Sequence, residues 1–195
     1  MAILPSGDQQ PPFDTLVINL DRDSARLEGV MASCAAVGIT VERLAAVTPE
    51  TLPDRMWPWF HTSDGSARGA LMPGEIGCYA SHLMAMEAAV ARGRPLLVLE
   101  DDAILTPVMA RLGNIMQAAP PDWGMLRLSC RTKQTCLRVG RGDGFDLVTY
   151  WRMVNSSVGY VITPEGARRF LAAFPVRTRP VDEDMRRPWL HGVPS

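Results

Sequence analysis

The sequence predicts a single α/β domain with a mostly parallel central sheet flanked by helices. Three observations carry that expectation. The chain has 195 residues, is 47% apolar and contains no repeat or low-complexity tract, which suits one sizeable core. Its apolar segments alternate between short β-branched runs and longer stretches of helical period, the order of β-α-β units. The runs "TLVINL" and "PLLVL" are continuously apolar, as strands covered on both faces are.

Residues 1–14, rich in Pro and Gln, read as a flexible leader ahead of a domain over residues 15–195. Thr15–Leu20 is the first strand. Asp23 or Ser24 can cap the next helix, whose apolar stripe is Leu27, Val30, Met31, Cys34 and Val37, with Gly38 as its left-handed stop. Ile39–Val47 is the second strand, parallel to the first because a helix separates them. Residues 48–73, rich in Pro, Trp, Gly and Ser, have no sustained period and read as a long loop in which the Trp-rich Met56–Phe60 packs on the sheet or stacks on a ligand.

A helix then starts at Pro73, with Ile76, Tyr79, Ala80, Leu83, Glu87 and Val90 on one side, and Gly93 ends it. "PLLVL" is too short for a helix and reads as a central parallel strand. Thr106 caps a further helix with Pro107 at its first position. "MLRLSC" is a strand, "TCLRVGRGDGFDLVTYW" a hairpin about a Gly-rich turn, and "SVGYVIT" a last strand before a helix over Pro164–Phe174. The tail beyond it has no clear period.

Composition excludes several classes. A formal charge of -1 gives no field for nucleic acid or an anionic membrane. The N-terminus lacks a basic segment followed by an apolar one, and no apolar run reaches the ~18 residues that span a bilayer. Cys34, Cys78, Cys130 and Cys136 lack paired spacing and sit among small apolar neighbours, which suits reduced packed thiols in a cytoplasm rather than a zinc site. A Rossmann methyltransferase wants a Gly-rich turn after the first strand, and "INLDRDSAR" has none.

The chemistry gathers where "PLLVL" runs into Glu100, Asp101 and Asp102. In an open parallel sheet, ligands bind outside the carboxyl ends of the strands, and these acids fall there. Three adjacent carboxylates repel one another, so a counter-cation is expected; oxygen donors suit Mg²⁺ or Mn²⁺ shared with substrate phosphates. Strand alternation would put Glu100 and Asp102 on one face and turn Asp101 away. A solvated turn is the competing reading, and the apolar flanks weigh against it.

"VINLDRDSARLE", "PGEIGCYASHLMAMEAAV" joined closely to "LLVLEDDAIL", "SVGYVITPEGARRFL" and "PVDED" together resemble family 25 glycosyltransferases, the lipopolysaccharide and lipooligosaccharide biosynthesis enzymes. The resemblance covers about residues 15–190. It implies a nucleotide-sugar-binding domain of the GT-A type, and transfer of a hexose, galactose or glucose, from a UDP-sugar to a saccharide or glycolipid acceptor. It implies Mn²⁺ or Mg²⁺ on Glu100, Asp101 and Asp102, and a nucleotide faced by Asn19, Arg22 and Arg26. Glu75 and Ser81-His82 match the family's helix motif. A cytoplasmic enzyme in peripheral contact with the inner membrane follows; a catalytically silent, nucleotide-sugar-binding scaffold is the alternative, and the oligomeric state stays open.

Each candidate has a plainer reading beside it. Arg22 and Arg26, one helical turn apart, suit a uracil edge or diphosphate oxygens, or are solvated. Glu75 at a helix start is explained by the helix dipole alone, and His82 by half-burial in the core. If the transfer inverts, as the resemblance implies, a carboxylate must stand beside the acceptor hydroxyl; "PVDED" supplies Asp182 or Asp184, with Asp182 favoured because Pro-Val fixes its backbone and the resemblance places it first in the family motif. Arg186 and Arg187 would then face the diphosphate as the tail folds back like a lid, or neutralise a surface loop.

Overall fold

In the computed structural model, which describes residues 11–128, 135–150, 153 and 155–195, β1 (Asp14–Asn19) is the centre of the first β-α-β unit. Helix α1 (Ser24–Ala36) returns the chain to β2 (Glu42–Ala45), which pairs with β1 in parallel. Strand β3 (Leu96–Glu100) pairs parallel on the other side of β1, with Leu16 opposite Val98 and Ile18 opposite Glu100. With β4 (Met125–Arg127) and β7 (Gly159–Ile162) the sheet has five strands in the order β2-β1-β3-β7-β4, and β7 alone runs against its neighbours. Strands β5 (Cys136–Gly142) and β6 (Phe145–Tyr150) form a separate hairpin, turning at Asp143-Gly144 within the expected Gly-rich segment. The fold is therefore a mixed α/β domain with a mostly parallel sheet flanked by helices, consistent with the expected GT-A type.

Alternation along the strands explains why both faces are covered. Leu16, Ile18, Leu96, Val98, Tyr160 and Ile162 point into one core, against α3 (Pro73–Arg92) and α5 (Pro164–Ala173). Val17, Leu97, Leu99 and Val161 point into the other, against Val30 and Cys34 of α1 and Leu112, Ile115 and Met116 of α4 (Leu112–Gln117). Gly93 closes α3 at φ +65°, a conformation open to glycine at little cost.

Several expectations change. β1 opens at Asp14 and Phe13 is buried, so the ordered fold begins inside the expected leader; residues 1–10 lie outside the described residues. Met31 leaves the stripe of α1 and is 44% exposed, because only Val30 and Cys34 fall squarely on the sheet. β2 is an edge strand of four residues rather than the whole Ile39–Val47 run. The segment after Thr106 first winds as a 3-10 helix, Pro107–Arg111, and Thr106 makes no side-chain cap. Thr163 does cap α5, accepting from Gly166 N at 3.0 Å.

Residues 48–73 are not structureless. They hold two 3-10 turns and α2 (Trp57–Phe60), and they bury Met56 and Phe60 completely. Packing is thus their role at these two positions, while Trp57 stacks on His61 at the surface. The aperiodic tail forms α6 (Val181–Met185) and α7 (Pro188–His191), too short for a helical period to register. The ends expected for "MLRLSC" and the hairpin, residues 129–130 and 151, lie outside the described residues.

Candidate active site

Because β1 and β3 are parallel neighbours, their carboxyl ends emerge side by side and bring Asn19 to the acids that follow Leu99. A cleft of about 340 Å³ opens there, bounded by the exits of β1 and β3, the start of α1 and one flank of α3. Asp101 and Asp102 lie in the turn after β3, so strand alternation stops at Glu100. As a result Asp101 and Asp102, rather than Glu100 and Asp102, share a partner: Arg26 Nη2 lies 2.8 Å from Asp101 Oδ1 and 3.5 Å from Asp102 Oδ2. The counter-cation called for by the acids is, in this state, a guanidinium.

Asn19 fixes that arrangement from below. It is 2% exposed, and its amide donates to Asp101 Oδ2 at 2.8 Å and to the Asp23 carbonyl at 2.9 Å. Its oxygen accepts from Arg43 Nε at 3.0 Å, and Arg43 also pairs with Asp21. Both amide hydrogens of Asn19 are used inside the protein, so this residue positions Asp101 instead of presenting donors to a nucleotide. Arg22 is the opposite case: its side chain is largely exposed at the cleft, close to Asp23 and Glu50.

Glu100 faces the other way, into a second cluster. Its Oε1 accepts from Ser157 Oγ at 2.5 Å and lies 3.3 Å from His82 Nε2, while His82 Nδ1 lies 3.0 Å from Tyr160 Oη. Burial pushes the Glu100 carboxyl up, but the contacts with His82 and Ser157 and the charge of Arg26 together outweigh it and hold the group below its ordinary range. His82 is fully buried rather than half-buried, and so is Tyr160. Cys78, one turn before His82, is open to the cleft at its surface, yet its thiol is pushed up to about 12 by desolvation and by the charges of Glu100, Asp182 and Glu75.

Helix α3 is held tightly enough to make this wall. A Cβ on Gly77 would meet the Val47 carbonyl oxygen at 2.4 Å, so only glycine lets the helix backbone come this close. Ser81 Oγ then receives Val47 N at 2.8 Å and donates to the Gly77 carbonyl at 2.8 Å, tying the exit of β2 to the helix. At the start of α3, Glu75 accepts from Met72 N at 2.8 Å, a capping contact that occupies one carboxylate oxygen.

The C-terminal acids have unlike surroundings. Asp184 is 1% exposed, takes the Tyr79 hydroxyl at 2.9 Å and Arg179 at 3.3 Å, and stands in a buried network with Arg177, itself ringed by Trp59, Tyr79, Phe170 and Phe174. This is the environment of a structural carboxylate. Asp182 is half-buried at the first turn of α6, accepts from Glu183 N at 2.8 Å and interacts electrostatically with Cys78 and Arg127. Burial raises its carboxyl above the ordinary value. Arg186 and Arg187 do not face the cleft acids: both hold Glu183 Oε2 at 2.9 Å, because the short helix sets them three and four residues beyond it.

Four participants were not singled out from the sequence. Arg43 sat unremarked in a strand run, Ser157 and Tyr160 in a stretch read only as strand, and Cys78 was read as a packed thiol. The i, i+4 spacing of Cys78 and His82 was the one available signal.

A family model described as glycosyltransferase family 25 (LPS biosynthesis protein) matches residues 13–185. A procollagen galactosyltransferase 1 of Danio rerio is 29% identical over 94% of this chain and 32% of its own length. A putative glycosyltransferase of Haemophilus influenzae is 26% identical over 85% of the chain and 58% of its own length. An inactive glycosyltransferase 25 family member 3 of Homo sapiens is 32% identical over 58% of the chain and 20% of its own length. The chain thus spans about a third of the galactosyltransferase it matches. Among the described residues no helix is long and apolar enough to cross a membrane.

Proposed function

The chain belongs to glycosyltransferase family 25, and from that premise we propose that it moves a hexose, galactose or glucose, from a UDP-sugar to a saccharide acceptor of a cell-surface glycolipid, with inversion at the anomeric carbon. The single observation that carries the reading is the convergence of Asp101 Oδ1 and Asp102 Oδ2 on one cation, Arg26, at the exit of β3, where Asp101, Arg22 and Arg26 line the cleft. Two carboxylate oxygens already gathered on a positive group fit a hard divalent ion, Mg²⁺ or Mn²⁺, which takes oxygen donors. Such an ion, when bound, neutralises charge on the departing diphosphate.

The remaining work falls to the protein's own side chains. Asn19 orients Asp101, and Arg26, once released from the acids, would be free to pair with diphosphate oxygens. Asp182 takes the proton of the attacking acceptor hydroxyl while that oxygen bonds to the anomeric carbon and the bond to UDP breaks. Its raised carboxyl makes it a stronger base than an ordinary aspartate. Glu75 and Asp184 are assigned to structure in this reading. The matched galactosyltransferases favour galactose as the sugar, and peripheral contact with the inner membrane follows from a glycolipid acceptor.

The test is a panel of UDP-sugars assayed for metal-dependent UDP release and for protection against melting. The reading expects turnover of one UDP-hexose with Mn²⁺ or Mg²⁺. A second reading, a nucleotide-sugar-binding protein without turnover, is favoured by the Arg26 clamp on the acids and by the inactive relative; protection by a UDP-sugar with no UDP release on any substrate would select it.

A further inference from the structure

We propose that Cys78, His82 and Glu100 form a second metal site, for a borderline-soft transition ion of the Zn²⁺ class, separate from the oxygen donors of Asp101 and Asp102. One donor atom from each of the three residues lies within 4.8 Å of the others. Cys78 and His82 stand one turn apart on α3, and Glu100 ends β3 facing them. The set is a thiol, an imidazole and a carboxylate, which selects Zn²⁺ or Co²⁺ over Mg²⁺ or Mn²⁺.

The contact between His82 and Glu100 is the informative distance. At 3.3 Å it is longer than the ~2.7–2.9 Å of a charge-assisted hydrogen bond. It equals the edge of a tetrahedron, about 3.3 Å, whose corners are N and O ligands some 2.0–2.1 Å from a central ion. With every pair of donor atoms within 4.8 Å, bringing the thiolate to its corner asks for a closure of at most about an ångström. The thiol proton leaves to solvent as the sulfur binds.

The shell behind the ligands is built in the way metal sites require. The far nitrogen of His82 lies 3.0 Å from Tyr160 Oη, so Nδ1–H can donate there and leave Nε2 for the ion. Ser157 Oγ holds the Glu100 carboxylate at 2.5 Å. His82 and Tyr160 are buried in the packed core, and Cys78, His82 and Glu100 all line the cleft. Three protein ligands with the fourth direction open to the cleft is the pattern of a site that also takes a water or a substrate oxygen.

The experiment uses the full chain, freed of metal by dialysis against a chelator and titrated with Co²⁺ alone in excess Mg²⁺. The expected result is one equivalent bound with thiolate-to-cobalt charge-transfer absorption in the near ultraviolet, displaced by Zn²⁺. Asp102→Asn should keep that band, and Cys78→Ser, a change at an exposed position, should abolish it with at least a tenfold loss of affinity. Absence of the band in the wild type, or its persistence in Cys78→Ser, overturns the site. The readout needs no sugar transfer, so it stands apart from the outcome of the UDP-sugar panel.

Discussion

The side-chain amide of Asn19 donates to Asp101 Oδ2 at 2.8 Å, joining the exit of β1 to the exit of β3 beneath the cleft. Asn19→Ala removes that bond together with those to Asp23 and Arg43, and leaves Asp101 short of a donor. The variant is expected to lose about 2 kcal/mol in urea denaturation. It should also lose activity by a larger factor than stability alone explains, measured on the folded fraction, because Asp101 is no longer held.

Arg26 holds the two oxygens, Asp101 Oδ1 and Asp102 Oδ2, that the proposed divalent cation would need. Arg26→Ala should therefore bind Mn²⁺ more tightly than the wild type in the absence of nucleotide, and UDP more weakly in the absence of metal. Calorimetry of both ligands checks this. If Arg26→Ala changes neither affinity, the clamp is a surface ion pair without a part in donor binding.

Asp182 and Asp184, two residues apart, should separate cleanly. Asp184→Asn takes a charge out of a buried network with Tyr79, Arg177 and Arg179 and is expected to cost about 3–5 kcal/mol of stability. Asp182→Asn should leave the melting temperature near normal, with kcat lower by ~10²-fold or more and UDP affinity unchanged. A loss seen as weaker UDP binding would move Asp182 to the donor side.

That contrast also marks how far the sequence can be read. The sheet was legible because doubly covered strands are continuous apolar runs, and β1 and β3 carry no polar residue until Asn19 and Glu100 after their opening positions. The site's general place followed, since parallel strands leave their carboxyl ends together. What the sequence hides is direction. "EDD" gives no sign that the strand stops at Glu100, so the alternation argument sent Asp102 with Glu100 when the turn sends it with Asp101. "DED" likewise cannot tell the half-buried Asp182 from the buried Asp184, a difference set by Tyr79 some hundred residues earlier in the chain. Short helices such as α2, α6 and α7 are below the length at which periodicity is detectable.

His191 gives a pH signature. Its Nδ1 accepts from Val193 N at 3.1 Å and its Nε2 lies 3.2 Å from the Met185 carbonyl, a pattern only the neutral ring satisfies. Burial, chiefly, and the charge of Arg127 lower its pKa from the ordinary 6.5. Below 6.5 the unfolded chain takes up a proton that the folded one resists, so this group's contribution to stability falls as pH drops from about 6.5 to the lowered folded value. Denaturation curves between pH 7 and 5 should show that slope in the wild type and lose part of it in His191→Asn, which keeps an acceptor near Val193 N. Parallel slopes in the two proteins would acquit His191.

The central claim is that Asp101 and Asp102 place a divalent ion against the diphosphate of a UDP-hexose, and the most direct measurement is UDP release with and without Mn²⁺ in the wild type and Asp102→Asn. The account predicts metal-dependent release by the wild type and loss of most of it in Asp102→Asn, at an unchanged melting temperature because Asp102 is half exposed and its ion pair with Arg26 is a loose 3.5 Å contact. Wild-type-like, metal-dependent release by Asp102→Asn would contradict it.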